Sequence, residues 1–145
     1  MLPEAINLDV VTPERRVVQE VVDEVQIPGS HGYLGVLPGH APLMTLLGAG
    51  VLSYRTGTHW HYLAAIGGFA EIQPDRVIIL AERCERAEEI DVERARAAEQ
   101  RARQRLSRLN EPDVDWQRAS AALERAMARL QAAALGKSSQ PLTPR

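Results

Sequence analysis

The chain has 145 residues, enough for one average domain or for a small β domain with an appended helical unit. Its net charge of −2 excludes bulk electrostatic attraction to nucleic acid or anionic lipid, and its single cysteine, Cys84, excludes an intramolecular disulfide. No apolar run reaches the roughly 20 residues of a membrane span, so no direct insertion into lipid is expected.

Met1 to Ala5 lacks the basic-then-apolar pattern of a secretory leader, so none is expected. Residues 6–11 alternate apolar and polar and break at Thr12-Pro13. Residues 16–27 are a long β-branched stretch, with Val21, Val25 and Ile27 assigned to one face. Pro28 to Gly32 is a turn cluster, and the glycine-rich segment to Gly50 has no phosphate-loop spacing. Val51–Arg55, a turn at Thr56-Gly57-Thr58 and a return strand over His59–Ile66 read as a hairpin. Gly67-Gly68 interrupts, Phe69–Ile72 resumes, and Val77–Ala81 is a short buried strand. Short strands with turn signals about every 8–12 residues indicate a sandwich or a barrel.

Near residue 88 the pattern changes. From Ile90, the residues Val92, Ala95, Ala98, Ala102, Leu106 and Leu109 follow three- and four-residue steps, with Asp91 as N-cap. Pro112 ends this helix and Asp113 or Asp115 caps the next, whose stripe is Trp116, Ala119, Leu123, Met127 and Leu130. Small residues allow close approach, so an antiparallel hairpin docked on the β domain or a partner is expected. Three segments follow: a β domain over 1–87, a helical hairpin over 88–135 and a disordered tail over 136–145.

No chemistry of catalysis is evident. The histidines include no helical pair. His59 and His61 share a strand face, where a polar turn-flanking role outweighs a metal. Gly136-Lys137-Ser138 lacks the preceding glycine and strand of a phosphate loop. Arginine supplies 16 of the 17 basic residues, Lys137 being the exception. Arg94, Arg101 and Arg105 fall at i, i+7 and i+11, and Arg118, Arg125 and Arg129 repeat that spacing, so each set is one helical stripe. Two readings stand: a clamp for a polyphosphate, or solvated faces balanced by local pairs such as Glu99 with Arg103.

The run Gly32-Tyr-Leu-Gly-Val-Leu-Pro-Gly-His-Ala-Pro-Leu43 closely resembles the signature loop of the epsilon subunit of bacterial F-type ATP synthase. Gly67 to Ile72, Ile90-Asp91-Val92-Glu93-Arg94-Ala95 and Arg125 to Leu130 resemble further stretches of that family, over about residues 4–134. The resemblance implies a flattened two-sheet β-sandwich followed by a C-terminal antiparallel helical hairpin. It implies a non-catalytic rotor subunit at the cytoplasmic face of the bacterial plasma membrane, coupling proton transport to ATP synthesis. The implied partners are the gamma subunit, the c-ring, and the alpha/beta catalytic hexamer when the helices extend and inhibit hydrolysis.

It further implies regulatory ATP that favours the folded, non-inhibitory hairpin, with magnesium undecided. Glu85, Ile90, Asp91 and Ala95 would surround the adenine and ribose, and Arg94, Arg101, Arg125 and Arg129 would serve the phosphates. His31, Gly32 and Tyr33 would form the c-ring contact loop; Tyr33 stands where many members carry an acid. The alternative is a structural rotor adaptor without nucleotide sensing.

Overall fold

The structure is a computed structural model and describes residues 2–108 and 110–138. Leu109 and residues 139–145, most of the expected tail, lie outside the described residues.

Eight strands come first: β1 (Ile6–Val11), β2 (Arg16–Val22), β3 (Glu24–Gly29), β4 (Gly32–Val36), β5 (Leu43–Leu46), β6 (Ala49–Thr56), β7 (His59–Gln73) and β8 (Arg76–Arg86). They join in the order β2-β1-β8-β7-β6-β3-β4, and β5 adds to β7. β7 is shared along its length, pairing β6 over His59–Ile66 and β5 over Phe69–Ile72. The hydrogen-bonded sheet thus folds over itself into two leaves that share β7 and β8. Between them lies a core that includes Ile6, Leu8, Val25, Ile27, Leu52, Leu63, Ile72 and Ile79. Each such side chain contributes about 1.5–3 kcal/mol when fully buried. This is the expected β-sandwich, reached by bending strands and not by stacking two separate sheets.

The bend lies at Gly67-Gly68, which adopt positive φ of 66° and 95°. A Cβ on Gly68 would lie 1.9 Å from the Leu80 carbonyl oxygen. The glycine pair therefore bends β7 without ending it, where the sequence reading placed an interruption.

Three other expectations change. The stretch 16–27 is two strands, because Asp23 leaves the ladder: its N–H donates to the Arg55 carbonyl at 2.8 Å and its Oδ2 accepts from Gly57 N–H at 2.7 Å. The break shifts the alternation by one, so Val22 and Val25 are both buried while Val21 is exposed. β4 and β5 were not anticipated, since glycine and proline dominate their surroundings; pairing with β3 and β7 overrides that weak local preference. β8 runs five residues past Ala81, because Arg83 to Arg86 continue its pairing with β7. Its alternating charges disguised it. At its end, Arg86 donates to the Tyr54 hydroxyl at 3.2 Å and to the Val17 carbonyl at 3.0 Å.

A 3-10 turn, Ala87–Glu89, leads into α1 (Val92–Leu106), and α2 (Trp116–Lys137) returns beside it. Both N-caps are aspartates: Asp91 Oδ1 accepts from Arg94 N–H and Asp115 Oδ1 from Arg118 N–H, each at 3.1 Å. α1 stops at Leu106, before the expected boundary at Asn110. The hairpin is folded against the sandwich: Ala128, Ala132 and Ala133 of α2 pack on Val51, Tyr62, Ala64, Ala87 and Ile90. Trp116 and Met127, expected in the buried stripe, are 55% and 47% exposed. α2 approaches both α1 and the sheet, and close approach selects alanine on both faces. Gly136 and Lys137 belong to α2, not to a tail.

We expect Gly68→Ala to destabilise the sandwich by at least about 2 kcal/mol, since it combines positive φ with a backbone collision. A thermal melt checks this as a fall of roughly 10 °C. Gly136 passes close over the 3-10 turn, where a Cβ would lie 2.5 Å from Ala87 Cβ. Gly136→Val is expected to speed hydrogen exchange across 128–136 while leaving the sandwich amides protected.

Candidate functional site

A cavity of about 570 Å³ opens between β8, the 3-10 turn and both helices. Four elements supply its walls, each for a local reason. Glu85 points outward from β8 because its neighbour Cys84 points into the core. Asp91 is the N-cap of α1. Arg94 and Arg101 lie two turns apart on α1, with Ala95 beside them, and Arg125 and Arg129 lie one turn apart on α2. All seven residues line the cavity.

Ile90 does not: it is buried in the cluster beneath α2 and supports the turn from below. Arg105 lines the cavity too, and so does Arg83, which the sequence reading passed over because its strand ended at Ala81. Simple alternation from Val77, Ile79 and Ala81 would have put Arg83 in the core; the buried side switches between Ala81 and Cys84, opposite the Gly67-Gly68 bend, so no local signal could have found it. Arg118 lies apart, at the hairpin tip, in a cavity of about 340 Å³ with Arg105 and Arg108.

The electrostatics are unbalanced. Each acid in the wall already has a partner. Arg129 Nε donates to Glu85 Oε1 at 2.6 Å, and this ion pair is mostly screened from solvent. Glu89 accepts from Arg15 at 2.6 Å, and Asp91 caps α1. Among the described residues, the guanidinium groups of Arg94, Arg101, Arg105 and Arg125 meet no carboxylate within ion-pair distance. Several unpaired guanidinium groups around one opening favour a bidentate, multiply charged anion. Glu99 and Arg103 do form the expected local pair, at 3.4 Å, on the side of α1 away from this cavity.

Beside Glu85, Cys84 is a different kind of group. Burial pushes its thiol up to about 12, with nearby Arg15 opposing the shift. It stays a neutral thiol at neutral pH.

Two other surfaces stand out. At the β3–β4 turn, His31 Nδ1 lies 3.0 Å from Ser30 Oγ, and Gly32 has φ of 130°. Tyr33 folds back so that its hydroxyl accepts from Val51 N–H at 2.9 Å, while the residue stays 58% exposed. The registered pairing of β3 with β6 ends at Gln26↔Ser53, so the hydroxyl substitutes for a strand partner. Elsewhere, Leu46, Phe69 and Leu80 are direct cross-strand neighbours on β5, β7 and β8. All three are exposed, and with Val11 they line a depression of about 800 Å³. This apolar row was not legible in the sequence, because it joins single residues from distant strands. His61 stacks on Tyr54 at 4.7 Å and lies 3.2 Å from Thr56 Oγ1, a packing role on the hairpin.

Native protein treated with iodoacetamide at pH 8 is expected to keep Cys84 unmodified, and denatured protein to lose it. Mass spectrometry of the intact chain reads both.

Comparison with known proteins gives two family matches. Residues 5–87 match the ATP synthase Delta/Epsilon chain, beta-sandwich domain, and residues 88–134 match its long alpha-helix domain. The chain is 54% identical over 130 residues to the ATP synthase epsilon chain of Moorella thermoacetica, covering 89% of this chain and 96% of that one. It is 50% identical over 129 residues to that of Solibacter usitatus, with the same coverage. Among solved structures it resembles a chain of the Euglena gracilis mitochondrial ATP synthase, an OSCP/F1/c-ring assembly. The TM-score is 0.79 and the identity 29%, over 92% of this chain and 84% of that one.

Proposed function

The chain belongs to the ATP synthase Delta/Epsilon chain family as an epsilon subunit of the F-type central stalk, and from that premise we propose that it is a non-catalytic, ATP-sensing rotor subunit. The observation that carries the sensing role is the cavity between β8 and the hairpin. It brings Glu85, Asp91, Arg94, Ala95, Arg101, Arg125 and Arg129 to one opening of about 570 Å³. That volume suits a nucleotide, since ligand pockets span about 300–1,000 Å³.

The Arg94, Arg101, Arg125 and Arg129 guanidinium groups receive the phosphates. Asp91 and Ala95, at the N-terminal end of α1, lie toward the adenosine with Glu85, and Ile90 holds the turn that presents them. A ligand in this position touches the sheet, the turn and both helices at once. It therefore binds the folded hairpin and not the undocked one, and stabilises folding of the hairpin by mass action. Arg129 must exchange part of its bond with Glu85 for phosphate, which sets a threshold on the ligand.

When ATP is scarce, the hairpin leaves the sandwich. Its arginine faces, Arg118, Arg125 and Arg129 among them, then meet acidic surface on the alpha/beta hexamer and oppose hydrolysis. The apolar row Leu46, Phe69 and Leu80 supplies the gamma-binding face, since exposed apolar patches of this kind mark protein contacts. His31, Gly32 and Tyr33 meet the c-ring. Tyr33 brings a ring and a hydroxyl there in place of a carboxylate, so its contact is packing and a donated hydrogen bond. Held this way, the subunit couples proton transport to ATP synthesis from the cytoplasmic face of the bacterial membrane. Among the described residues no helix is long and apolar enough to cross a membrane, and attachment is through these partners.

Calorimetric titration of the purified chain with ATP is expected to show saturable one-to-one binding. Arg101→Ala with Arg125→Ala should weaken it by about 100-fold or more, two charge-assisted contacts being lost. Undiminished binding by that double variant, or none by the wild type at millimolar ATP, would leave a structural rotor adaptor as the function.

A further inference from the structure

We infer that Arg83, on β8, is a phosphate-binding residue of this cavity, the arm by which the sheet itself grips the anion. The inference rests on the nucleotide reading above and adds a contact to it. Among the described residues, every other cation in the cavity wall, Arg94, Arg101, Arg105, Arg125 and Arg129, belongs to the hairpin, and Arg83 alone comes from the sandwich.

Its position follows from the strand. Arg83 pairs with Ile66 and Glu85 with Ala64 across β7, so both project from the outward side of β8 while Cys84 points into the core. Ala64 lies beneath Ala128 and Ala132, which places that side of the strand under α2. Glu85 is tied to Arg129, whereas the Arg83 side chain, exposed, forms no ion pair or side-chain hydrogen bond among the described residues. A guanidinium without a partner, facing four more of the same kind, is repelled by the hairpin when the cavity is empty. A polyphosphate between them reverses the sign: the same charges then hold sheet and hairpin to one anion.

This changes what the ligand does. With hairpin arginines alone, the phosphates would clamp α1 to α2, and the sheet would meet the nucleotide only through Glu85 at its adenosine end. With Arg83 engaged, phosphate binding and docking become one event. The hairpin cannot leave the sandwich without breaking a phosphate contact.

The test is ATP titration of the full chain by calorimetry, comparing wild type with Arg83→Gln, Arg83→Lys and Arg76→Gln. Arg76 is at the far end of β8, lines a different depression, and matches the charge change. Arg83→Gln is expected to weaken ATP binding about tenfold, the loss of one charge-assisted contact at a part-exposed site. Arg83→Lys should restore part of it and Arg76→Gln should bind as wild type. The ligand-free melting temperature should not fall in any of the three, which separates a lost contact from a damaged fold. Arg83→Gln binding within about twofold of wild type overturns the inference, as does an equal loss in Arg76→Gln. Absence of binding by the wild type overturns the nucleotide reading itself, and this inference with it.

Discussion

The docking of α2 on the sandwich decides the rest of the arrangement. Ala128, Ala132 and Ala133 meet Val51, Tyr62 and Ala64, and on the helix side only the part-buried Leu135 adds a large aliphatic side chain among the described residues. An alanine methyl contributes only about 0.8 kcal/mol on burial, against about 1.5–3 for a core leucine or valine. The seam is therefore close-fitting and weak. Everything that makes the arginine cavity a site depends on it, because the cavity has walls on both sides of that seam. If the seam opens, the hairpin arginines lose the β8 wall that carries Glu85 and Arg83.

Weakness here is consistent with a switch, and the surrounding structure is built to tolerate it. The sandwich core closes on its own, with Ile6, Leu8, Ile27, Leu52 and Ile79 buried between its leaves without help from the hairpin. Arg86 secures the end of β8 to Tyr54 and Val17, so the point from which the hairpin departs stays anchored to the sandwich. Two stabilities are thus separate: a firm sandwich and a lightly packed hairpin. In the switch proposed above, the ligand has to bias only the hairpin's docking and not the sandwich.

The electrostatics act in the same sense. The Arg129–Glu85 pair is the one direct ion pair seen between α2 and the sheet among the described residues. It leaves Arg94, Arg101, Arg105 and Arg125 with no carboxylate within ion-pair distance among the described residues. An anion thus has more to offer the folded hairpin than a neutral ligand of equal size. In the proposed extended state the same guanidinium groups would meet carboxylates on another protein, so one set of residues would serve two alternative partners.

Much of this was readable from residue order alone. Apolar alternation, glycine and proline punctuation and aspartate caps are local signals, and they located β1, β6, most of β7, both helices and the face shared by the arginines. The resemblance at Gly32–Leu43 and Ile90–Ala95 identified the family on the same local grounds. What only the tertiary structure decided is what depends on which strands meet. β4 and β5 exist because β3 and β7 offer them partners. Val21 turns outward because Asp23 leaves the ladder. Trp116 and Met127 lie at the margin because α2 touches two neighbours at once. Arg83 enters the site, and Ile90 lies beneath it, because β8 continues to Arg86 and the turn after it folds over the sheet. Periodicity tells which residues share a face; it does not tell what that face is pressed against, since that is set by contacts between residues far apart in the chain.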